Sequence, residues 1–194
     1  MSVGGYPLLC ATSAHWAEQA YGGLGQFLND HACCERKAMA SALSFISRFP
    51  GEVSLVEPMM CIAKEELAHF HDVYRIMKAR GLTLNFDVED LYVKELRKAV
   101  RHDHDGFLLD RLLVAALIEA RSSERLRLFG EWCQKKGHEL AGFYLKLAKT
   151  EMGHWRVFYN QARIVSCEAV ERLVVLSELE SEIVKRMPLR PAVH

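Results

Sequence analysis

The sequence lacks the features of a membrane-bound or exported protein. No uninterrupted apolar run approaches the length needed to span a bilayer, and the N-terminus has no basic region followed by an apolar core. Lysine plus arginine and aspartate plus glutamate are equal at 25 each, so no global positive field predicts nucleic-acid binding, and any such contact has to be local. We therefore expect a soluble, cytoplasmic protein with no membrane partner.

The sequence also lacks any Cys-x-x-Cys pair, which argues against a metal module bound by cysteines. Six cysteines are scattered along the chain, and the adjacent Cys33 and Cys34 are poor disulfide partners. Because 194 residues with 50% hydrophobic letters can bury an ample core without cross-links, we expect reduced thiols. The same length predicts one domain over residues 1–194.

Apolar residues recur in alternating steps of three and four along most of the chain, which is the pattern of helices in a bundle. The pattern predicts four long helices, at about 24–49, 55–80, 107–136 and 140–163. It also predicts a short first helix capped by Ser13 and an additional C-terminal helix at about 167–187. We therefore expect an all-α protein.

Residues 82–106 interrupt this pattern and separate two pairs of long helices. Within them, Asp87 is expected to cap a short helix that continues to about Val100. Short loops join the helices of each pair, whereas about 25 residues connect the pairs, as in the single long crossover of ferritin-like bundles. The predicted fold is a ferritin-like four-helix bundle with its core at about 24–163, a crossover between helices 2 and 3, and additional terminal helices.

Two Glu-x-x-His motifs lie in the second and fourth long helices. Glu66 precedes His69, and Glu151 precedes His154. Residues three apart on a helix project from one face, and this motif holds carboxylate-bridged metal pairs inside helical bundles. All four residues are in phase with the apolar seams of their helices. Glu65 falls off the seam, so we assign it to a flank or to a supporting position beside the ligands, rather than to the site itself.

The first and third long helices each place a carboxylate in the middle of a seam, at Glu35 and Glu119. Glu124 is the alternative in the third helix, but its stripe turns polar at both ends. Glu35 precedes Glu66 by 31 residues and Glu119 precedes Glu151 by 32, whereas Glu124 precedes Glu151 by only 27. Spacing and phase favour Glu119, and nothing else in the sequence decides between the two.

Four carboxylates and two imidazoles are thus predicted to meet inside one bundle, at Glu35, Glu66, His69, Glu119, Glu151 and His154. Any one of them alone is more often a paired or hydrogen-bonded core residue. Together, four buried carboxylates without a cation are very costly, and two divalent metal ions offset their charge. Hard oxygen ligands with one imidazole per metal suit iron or manganese. Iron is favoured, because carboxylates can shift between terminal and bridging modes as iron changes oxidation state.

Four stretches around these residues resemble the bacterial tRNA 2-methylthio-N6-isopentenyladenosine hydroxylases, a family of ferritin-like non-haem di-iron monooxygenases. They are NDHACCERKA at 29–38, EELAHF at 65–70, IEARSSER at 118–125, and Phe143-Tyr144 followed by Glu151-x-x-His154. The resemblance spans about Trp16 to Arg163. It implies that the six predicted ligands hold two irons, which use O2 to hydroxylate the isopentenyl group of a modified adenosine next to the tRNA anticodon. The chain departs from the family pattern at Ser123, where Cys is common, and at Met152-Gly153, where Ala-Arg is common.

Neighbouring residues are expected to support the site. His31 lies one turn before Glu35 and is expected to donate a hydrogen bond to it rather than bind metal. Basic residues close to the ligands are expected to pair with nearby carboxylates; these are Arg36, Lys37, Arg121 and Arg125. Aromatic residues are expected to line an apolar channel for the substrate; these are Phe27, Phe45, Phe70, Phe143, Tyr144 and Phe158.

The expected partners are tRNA and an electron-donor protein or reductase that the sequence does not identify. Basic patches that could contact RNA lie at 97–104, at Lys135-Lys136 and at 185–190. The protein is expected to be a monomer or a small homo-oligomer. Two alternatives stay open: a ferritin-like ferroxidase, peroxidase or oxidase with another substrate, and a non-enzymatic helical bundle that binds RNA.

Overall fold

The structure is a computed structural model that describes residues 7–86 and 88–194, apart from the side chains of His104 and Asp105. All regular secondary structure of the described residues is helical, as the periodicity predicts. The helices are α1 (Ala14–Gly22), α2 (Leu24–Arg48), α3 (Val53–Ala79), α4 (Leu91–Arg97), α5 (His104–Lys135), α6 (Ala141–Val165) and α7 (Ala169–Arg186). Among these residues no helix is long and apolar enough to cross a membrane. None of the six cysteines, all of which lie in the described residues, is in a disulfide bond.

Two glycines stop long helices where the sequence predicts. Gly81 follows α3 with a φ of 68°, and Gly137 follows α5 with a φ of 64°. This left-handed conformation is strained for any residue with a Cβ atom, and it closes helix ends by satisfying their last carbonyls. The ends of α3 and α5 are therefore encoded locally.

The crossover differs in detail from the prediction. Asp87 lies outside the described residues, and the short helix begins only at Leu91. Its cap is Asp90, whose carboxylate accepts a hydrogen bond from the Val93 N–H at 3.0 Å. α4 also ends three residues before Val100, so the predicted extent of this helix is wrong.

The longest helix, α5, begins three residues before the predicted start at Phe107. Asp103 caps it by accepting a hydrogen bond from the Gly106 N–H at 2.7 Å. The sequence predicts no helix at these residues, because the first turn contains no apolar residue in phase. Capping chemistry, rather than hydrophobic periodicity, sets the start of this helix.

α5 is buried on almost all of its sides, whereas the periodicity predicts one buried seam. Glu119 and Glu124 are both buried, and so are Asp110 and Arg121. The polar residues in the stripe of Glu124 therefore do not mark a solvent-exposed face. A helix that packs against α4, α6 and α7 has to bury polar residues on several sides, and these need partners inside the protein.

The described chain forms two compact units. The α2–α3 unit consists, among the described residues, of 20–86, 88 and 191–193, and α2 packs against α3 within it. The α5–α6 unit consists, among the described residues, of 7–19, 89–190 and 194, and its main contact is between α5 and α6. Each unit thus contains one of the two predicted helix pairs. The organisation of the chain as a single di-iron domain stays a prediction.

Apolar packing aligns the helices of each pair. In the α2–α3 unit, Leu28 and Phe45 are buried on α2, and Leu55 and Val73 on α3. Burying a side chain of this size contributes about 1.5–3 kcal/mol each relative to leaving it in water. In the α5–α6 unit the approach is closer, since a Cβ atom at Gly130 would lie 2.9 Å from the side chain of Leu145. Each seam fixes the register in which polar residues of the two helices face one another.

Candidate metal centre

Two carboxylates and one imidazole lie together in the α2–α3 unit. Glu35 comes from α2, and Glu66 and His69 come from α3, where the three-residue spacing places them on one face. Ligand atoms of the three residues all lie within 4.8 Å of one another. The Nδ1 atom of His69 is 3.4 Å from Oε2 of Glu66 and 3.7 Å from Oε2 of Glu35. We call these residues the α2–α3 triad.

His31 contacts this triad from the preceding turn of α2. Its Nε2 atom lies 2.6 Å from Oε1 of Glu35, and both side chains are buried. The geometry is the hydrogen bond expected from the sequence. The contact holds one oxygen of Glu35, while the other oxygen lies on the side of His69. Such outer hydrogen bonds orient carboxylates that bind metals.

A matching set lies in the α5–α6 unit. Glu119 comes from α5, and Glu151 and His154 come from α6. Their ligand atoms also lie within 4.8 Å of one another, and Nδ1 of His154 is 3.1 Å from Oε2 of Glu151. All three residues are buried. We call them the α5–α6 triad; the structure thus groups the six predicted ligands into two triads of the same composition.

The donor sets fit hard divalent metal ions. In the α5–α6 triad a single imidazole accompanies two buried carboxylates, so it can neutralise at most one of their charges. Moving a carboxylate out of water is costly unless a positive charge lies beside it, and a divalent cation offsets both charges at once. Carboxylate oxygens with one imidazole nitrogen and no thiolate are suited to iron or manganese.

The structure distinguishes Glu119 from its alternative. Glu124 accepts hydrogen bonds from the Thr12 N–H at 2.9 Å, from the Thr12 hydroxyl at 2.6 Å, and from Nη1 of Arg121 at 2.6 Å. Its carboxylate therefore already belongs to an internal ion pair. Glu119 lies instead with the α6 motif. The geometry therefore favours Glu119. On α3, the off-seam residue Glu65 is exposed.

Sequence reasoning missed a second buried polar cluster, which is centred on Arg121. The guanidinium of this residue donates to Glu180 on α7 at 2.8 and 3.0 Å, and to Glu124 at 2.6 Å. Arg121 therefore pairs with carboxylates, as expected, and one of them, Glu124, lies on the same helix as the predicted ligand Glu119. Arg125 donates to the Thr12 hydroxyl at 3.3 Å. Arg121 and Glu180 are 59 residues apart, so no local spacing could reveal the pair.

Burial dominates the electrostatics of this arginine cluster. Burial raises the pKa of Glu180 above its ordinary value, although the charge of Arg121 opposes the shift. Burial and the neighbouring Arg121 charge lower the pKa of Arg125 to about 10. For Arg121 itself burial acts downward, but Glu180 and Glu124 outweigh it and raise the pKa. Both guanidinium groups are thus charged at neutral pH, and they balance the two glutamates.

The two departures from the family pattern lie close to the α5–α6 triad. The buried hydroxyl of Ser123 donates to the backbone carbonyl of Ala148 at 2.5 Å, which ties α5 to α6. A thiol at this position would be a weaker donor. At Gly153 no heavy atom lies within 4 Å of the place where a Cβ atom would be. Helix α6 therefore has open space where a long side chain is common in the family.

The predicted apolar channel is not tested by these contacts. Phe27, Phe45, Tyr144 and Phe158 are buried. Tyr144 packs edge-on against Phe129 with ring centroids 4.7 Å apart, which is ordinary packing of aromatic side chains in a core. The channel stays a prediction.

Comparison with known proteins places these features in a family. Residues 5–194 match the family model described as tRNA-(MS²IO⁶A)-hydroxylase (MiaE). The chain is 37% identical over 160 residues to the tRNA 2-(methylsulfanyl)-N(6)-isopentenyladenosine(37) hydroxylase of Pseudomonas putida, with 82% of this chain and 77% of that protein covered. A protein of the same name from Salmonella typhimurium is 26% identical over 227 residues, with 91% and 83% covered.

A solved structure is also similar to the chain. It is a Synechococcus protein with aldehyde deformylating oxygenase activity, which is 35% identical and superposes with a TM-score of 0.87 over 95% of this chain and 92% of its own. This similarity confirms the predicted fold class, an all-α ferritin-like bundle.

Proposed function

Because the chain belongs to the tRNA-(MS²IO⁶A)-hydroxylase (MiaE) family, we propose that it is a di-iron monooxygenase acting on tRNA. The proposed reaction hydroxylates the isopentenyl group of 2-methylthio-N6-isopentenyladenosine next to the anticodon. The observation that carries the metal chemistry is the pair of triads, each with two glutamates and a histidine. Membership in a family of hydroxylases disfavours the alternative of a non-enzymatic RNA-binding bundle.

We propose that the six triad residues hold two irons, with manganese as the less suited ion. When bound, the metals supply the O2 chemistry that hydroxylation of an allylic C–H bond requires. One oxygen atom enters that bond and the other leaves as water, while an electron-donor protein or reductase supplies two electrons and the solvent two protons. The redox partner is not identified by any feature of the described residues.

The residues of the chain would contribute position and environment. His31 holds the Glu35 carboxylate at 2.6 Å, so the ligand is oriented before a metal binds. On α6, Tyr144 and Phe158 are buried on the same stretch of helix as Glu151 and His154. These apolar neighbours would exclude water from the reacting group and favour a hydrocarbon substrate such as isopentenyl.

The proposal is tested by digesting isopentenylated, methylthiolated tRNA to nucleosides after incubation with iron-loaded protein and hydrogen peroxide. Peroxide supplies both the oxygen atom and its electrons, so no electron donor is needed. The expected product carries one added oxygen. Glu66→Gln should abolish the product and lower the iron content, because Gln cannot supply a charged oxygen ligand.

Glu65→Gln is the matched control, since it makes the same change one residue away on the exposed side of α3. This variant should keep both iron and activity. No added oxygen from wild-type protein shown to carry two irons would refute the proposed substrate. Equal activity in the two variants would refute the proposed ligands.

A second function is favoured by the similarity to the aldehyde deformylating oxygenase. The same bundle and the same ligand types would then act on an aldehyde and release formate. Formate production from an alkyl aldehyde in the presence of O2 and a reductant, without oxygen incorporation into tRNA, would move the proposal to that substrate class. The proposed metal ligands would be unchanged.

We propose a cytoplasmic protein, because its proposed substrate is tRNA, and a monomer or small homo-oligomer. A ferritin-like storage or ferroxidase role would instead fit a large cage. Size-exclusion chromatography with light scattering distinguishes these possibilities.

A further inference from the structure

The outward face of α6 carries a row of cations. Lys146, Lys149, Arg156 and Arg163 are all exposed, and we call them the α6 basic stripe. Their spacings of three, seven and seven residues place them on one side of the helix. At 1.5 Å per residue the stripe is about 26 Å long. It lies on the side of α6 opposite the buried Glu151.

No acidic side chain accompanies the stripe on its own helix. Glu151 is the one acidic residue of α6, and it is buried in the α5–α6 triad. In the part of the chain that the structure describes, none of the four cations takes part in an ion pair. By contrast, the exposed residues of α3 and α7 carry both signs of charge. Like charges close together on one helix face destabilise a helix slightly, so an anion that lies on the stripe would stabilise this arrangement.

Aromatic rings flank the stripe. Trp155 and Tyr159 are half-exposed on α6, and their ring centroids are 5.7 Å apart. The guanidinium of Arg163 lies 5.9 Å from the centre of the Tyr159 ring. Accessible aromatic and guanidinium planes beside a line of cations are the features on which nucleic-acid bases stack while phosphates pair with the cations.

We infer that the α6 basic stripe, with Trp155 and Tyr159 beside it, binds the sugar-phosphate backbone and unpaired bases of the RNA substrate. The inference rests on the proposed function for the identity of that substrate. Because the net charge of the chain is zero, no global field attracts a polyanion, and affinity has to come from such a local surface. One helix would then hold RNA on its outer face and metal ligands on its inner face, which fixes the distance between the two.

Two of the three basic patches predicted from the sequence are less suited to this role, because carboxylates lie close to their cations. In the crossover, the ammonium of Lys98 lies 2.5 Å from the Glu95 carboxylate, and Arg101 is paired with Asp110 at 3.0 Å. At the end of α7, Lys185 and Arg186 follow several exposed glutamates. Phosphate would have to displace or approach these carboxylates, whereas the α6 basic stripe offers its charge directly.

The inference is tested by measuring the affinity of full-length, iron-loaded protein for fluorescently labelled tRNA over a series of salt concentrations. Lys149→Ala with Arg156→Ala removes two cations from the stripe. The double variant should bind roughly tenfold or more weakly, and the slope of log K against log salt should fall by about 1.5, since each lost phosphate contact reduces it by about 0.7–0.9. Its iron content and thermal midpoint should match those of the wild type.

Two further variants sharpen the test. Arg75→Ala with Lys78→Ala removes the same two residue types from the exposed face of α3, and it should leave affinity and slope nearly unchanged. Gly153→Arg adds a cation to the stripe at a position with no heavy atom within 4 Å of the new Cβ atom. This variant should bind tRNA more tightly, with a slope steeper by about one contact.

The outcomes separate the inference from the proposed function. If the wild type binds and hydroxylates tRNA and the stripe variant binds it equally well, the inference is overturned while the function stands. If the wild type binds no tRNA, both fail. If the stripe variant keeps its tRNA affinity but loses only the activity that depends on an electron-donor protein, the stripe docks an acidic protein and the inference is again overturned.

Discussion

Two clusters of buried carboxylates each include one glutamate of α5, and they are compensated in different ways. One combines two glutamates with two arginines, and the other combines two glutamates with one histidine. The members are Glu124, Glu180, Arg121 and Arg125 in the first, and Glu119, Glu151 and His154 in the second. The formal charge of the first is zero, whereas the second stays negative even with a protonated imidazole. Only the second therefore calls for a further cation.

This difference shows what identifies a metal ligand in a helical bundle. Glu119 and Glu124 are five residues apart on one helix, and both are buried. Burial of a carboxylate is thus not enough to distinguish them. The chemistry of the partner is decisive, because a guanidinium at 2.6 Å completes the charge and hydrogen bonding of Glu124, while an imidazole leaves capacity for a metal ion.

The largest expected effect separates these two glutamates directly. Glu119→Gln should lower hydroxylation at least about a hundredfold, because even residues that only contact metal ligands cost ten- to hundredfold when replaced. It should also lower the iron content. Glu124→Gln, the matched change on the same helix, should keep iron and activity per folded chain. Iron analysis measures the iron content, and the nucleoside assay measures hydroxylation. Equal iron loss in the two variants would contradict the assignment of Glu119, rather than Glu124, as the ligand.

The next effect concerns the arginine cluster. Arg121→Met leaves Glu124 and Glu180 buried without the cation that contacts both carboxylates, so the free energy of unfolding should fall by about 3–5 kcal/mol. The iron content of the folded fraction should be unchanged. Arg127→Met is the control, because its partner Glu131 is 43% exposed and such surface pairs contribute about 0–1 kcal/mol. Urea unfolding provides the measurement.

The pH dependence of the Arg121→Met variant has a definite sign. The pKa of Glu180 is raised in the folded state even with Arg121 present, so the folded state binds its proton more tightly than the unfolded state does. Stability should therefore recover as the pH falls through the folded pKa towards the ordinary pKa of a glutamate. If the stability of the variant instead decreases as the pH is lowered over that range, the assigned pairing of Arg121 with Glu180 is contradicted.

The two triads were predictable because their signal is local. A Glu-x-x-His motif places both residues on one helix face. The similar separations of 31 residues from Glu35 to Glu66 and 32 residues from Glu119 to Glu151 indicate the partner helices. The long helices were predictable for the same reason, since periodicity and the glycines at 81 and 137 act within a few residues. These features need no knowledge of which helices pack together.

The arginine cluster and the burial of α5 could not be predicted in this way. Arg121 meets Glu180 and Cys10, and it is separated from them by 59 and 111 residues. A central helix has no exposed face, so its hydrophobic periodicity is weak and its polar residues look like a solvated stripe. Tertiary contacts, rather than sequence spacing, determine which of its charges are paired.

A smaller effect is expected at Asp110, the third buried carboxylate of α5. Its oxygens accept hydrogen bonds from Arg101 and Arg172 at 2.8–3.1 Å. Asp110→Asn should lower the free energy of unfolding by about 2–3 kcal/mol at pH 7, because each hydrogen bond to a charged group contributes about 1.5–3 kcal/mol. Glu168→Gln, which alters a 65% exposed partner of Arg101, should change it little.

Acid unfolding tests the same carboxylate. Burial alone would raise the pKa of Asp110, but the bonds from Arg172 and Arg101 outweigh it and lower the pKa below 3.8. The stabilisation of the fold by the ionised Asp110 is therefore complete above pH 3.8, and it is lost as the pH falls through the folded pKa. Asp110→Asn should lose less stability than the wild type over that interval. If the free energy of unfolding of the two proteins falls equally with decreasing pH, the ion pairs of Asp110 are not the cause of the acid sensitivity.

The smallest effect is expected at His31, which gives the α2–α3 triad a hydrogen bond without adding a fixed charge. His31→Leu removes the donor that lies 2.6 Å from Glu35, so the carboxylate is less well oriented and iron should bind about tenfold more weakly. Competition with a chelator measures this change. His31→Gln, which keeps an N–H donor, should recover part of the affinity, and His71→Leu on the exposed side of α3 should have no effect. Unchanged iron affinity in His31→Leu would mean that Glu35 is positioned by packing alone. The metal-binding triads would then differ from the arginine cluster in their net charge, and not in how their carboxylates are oriented.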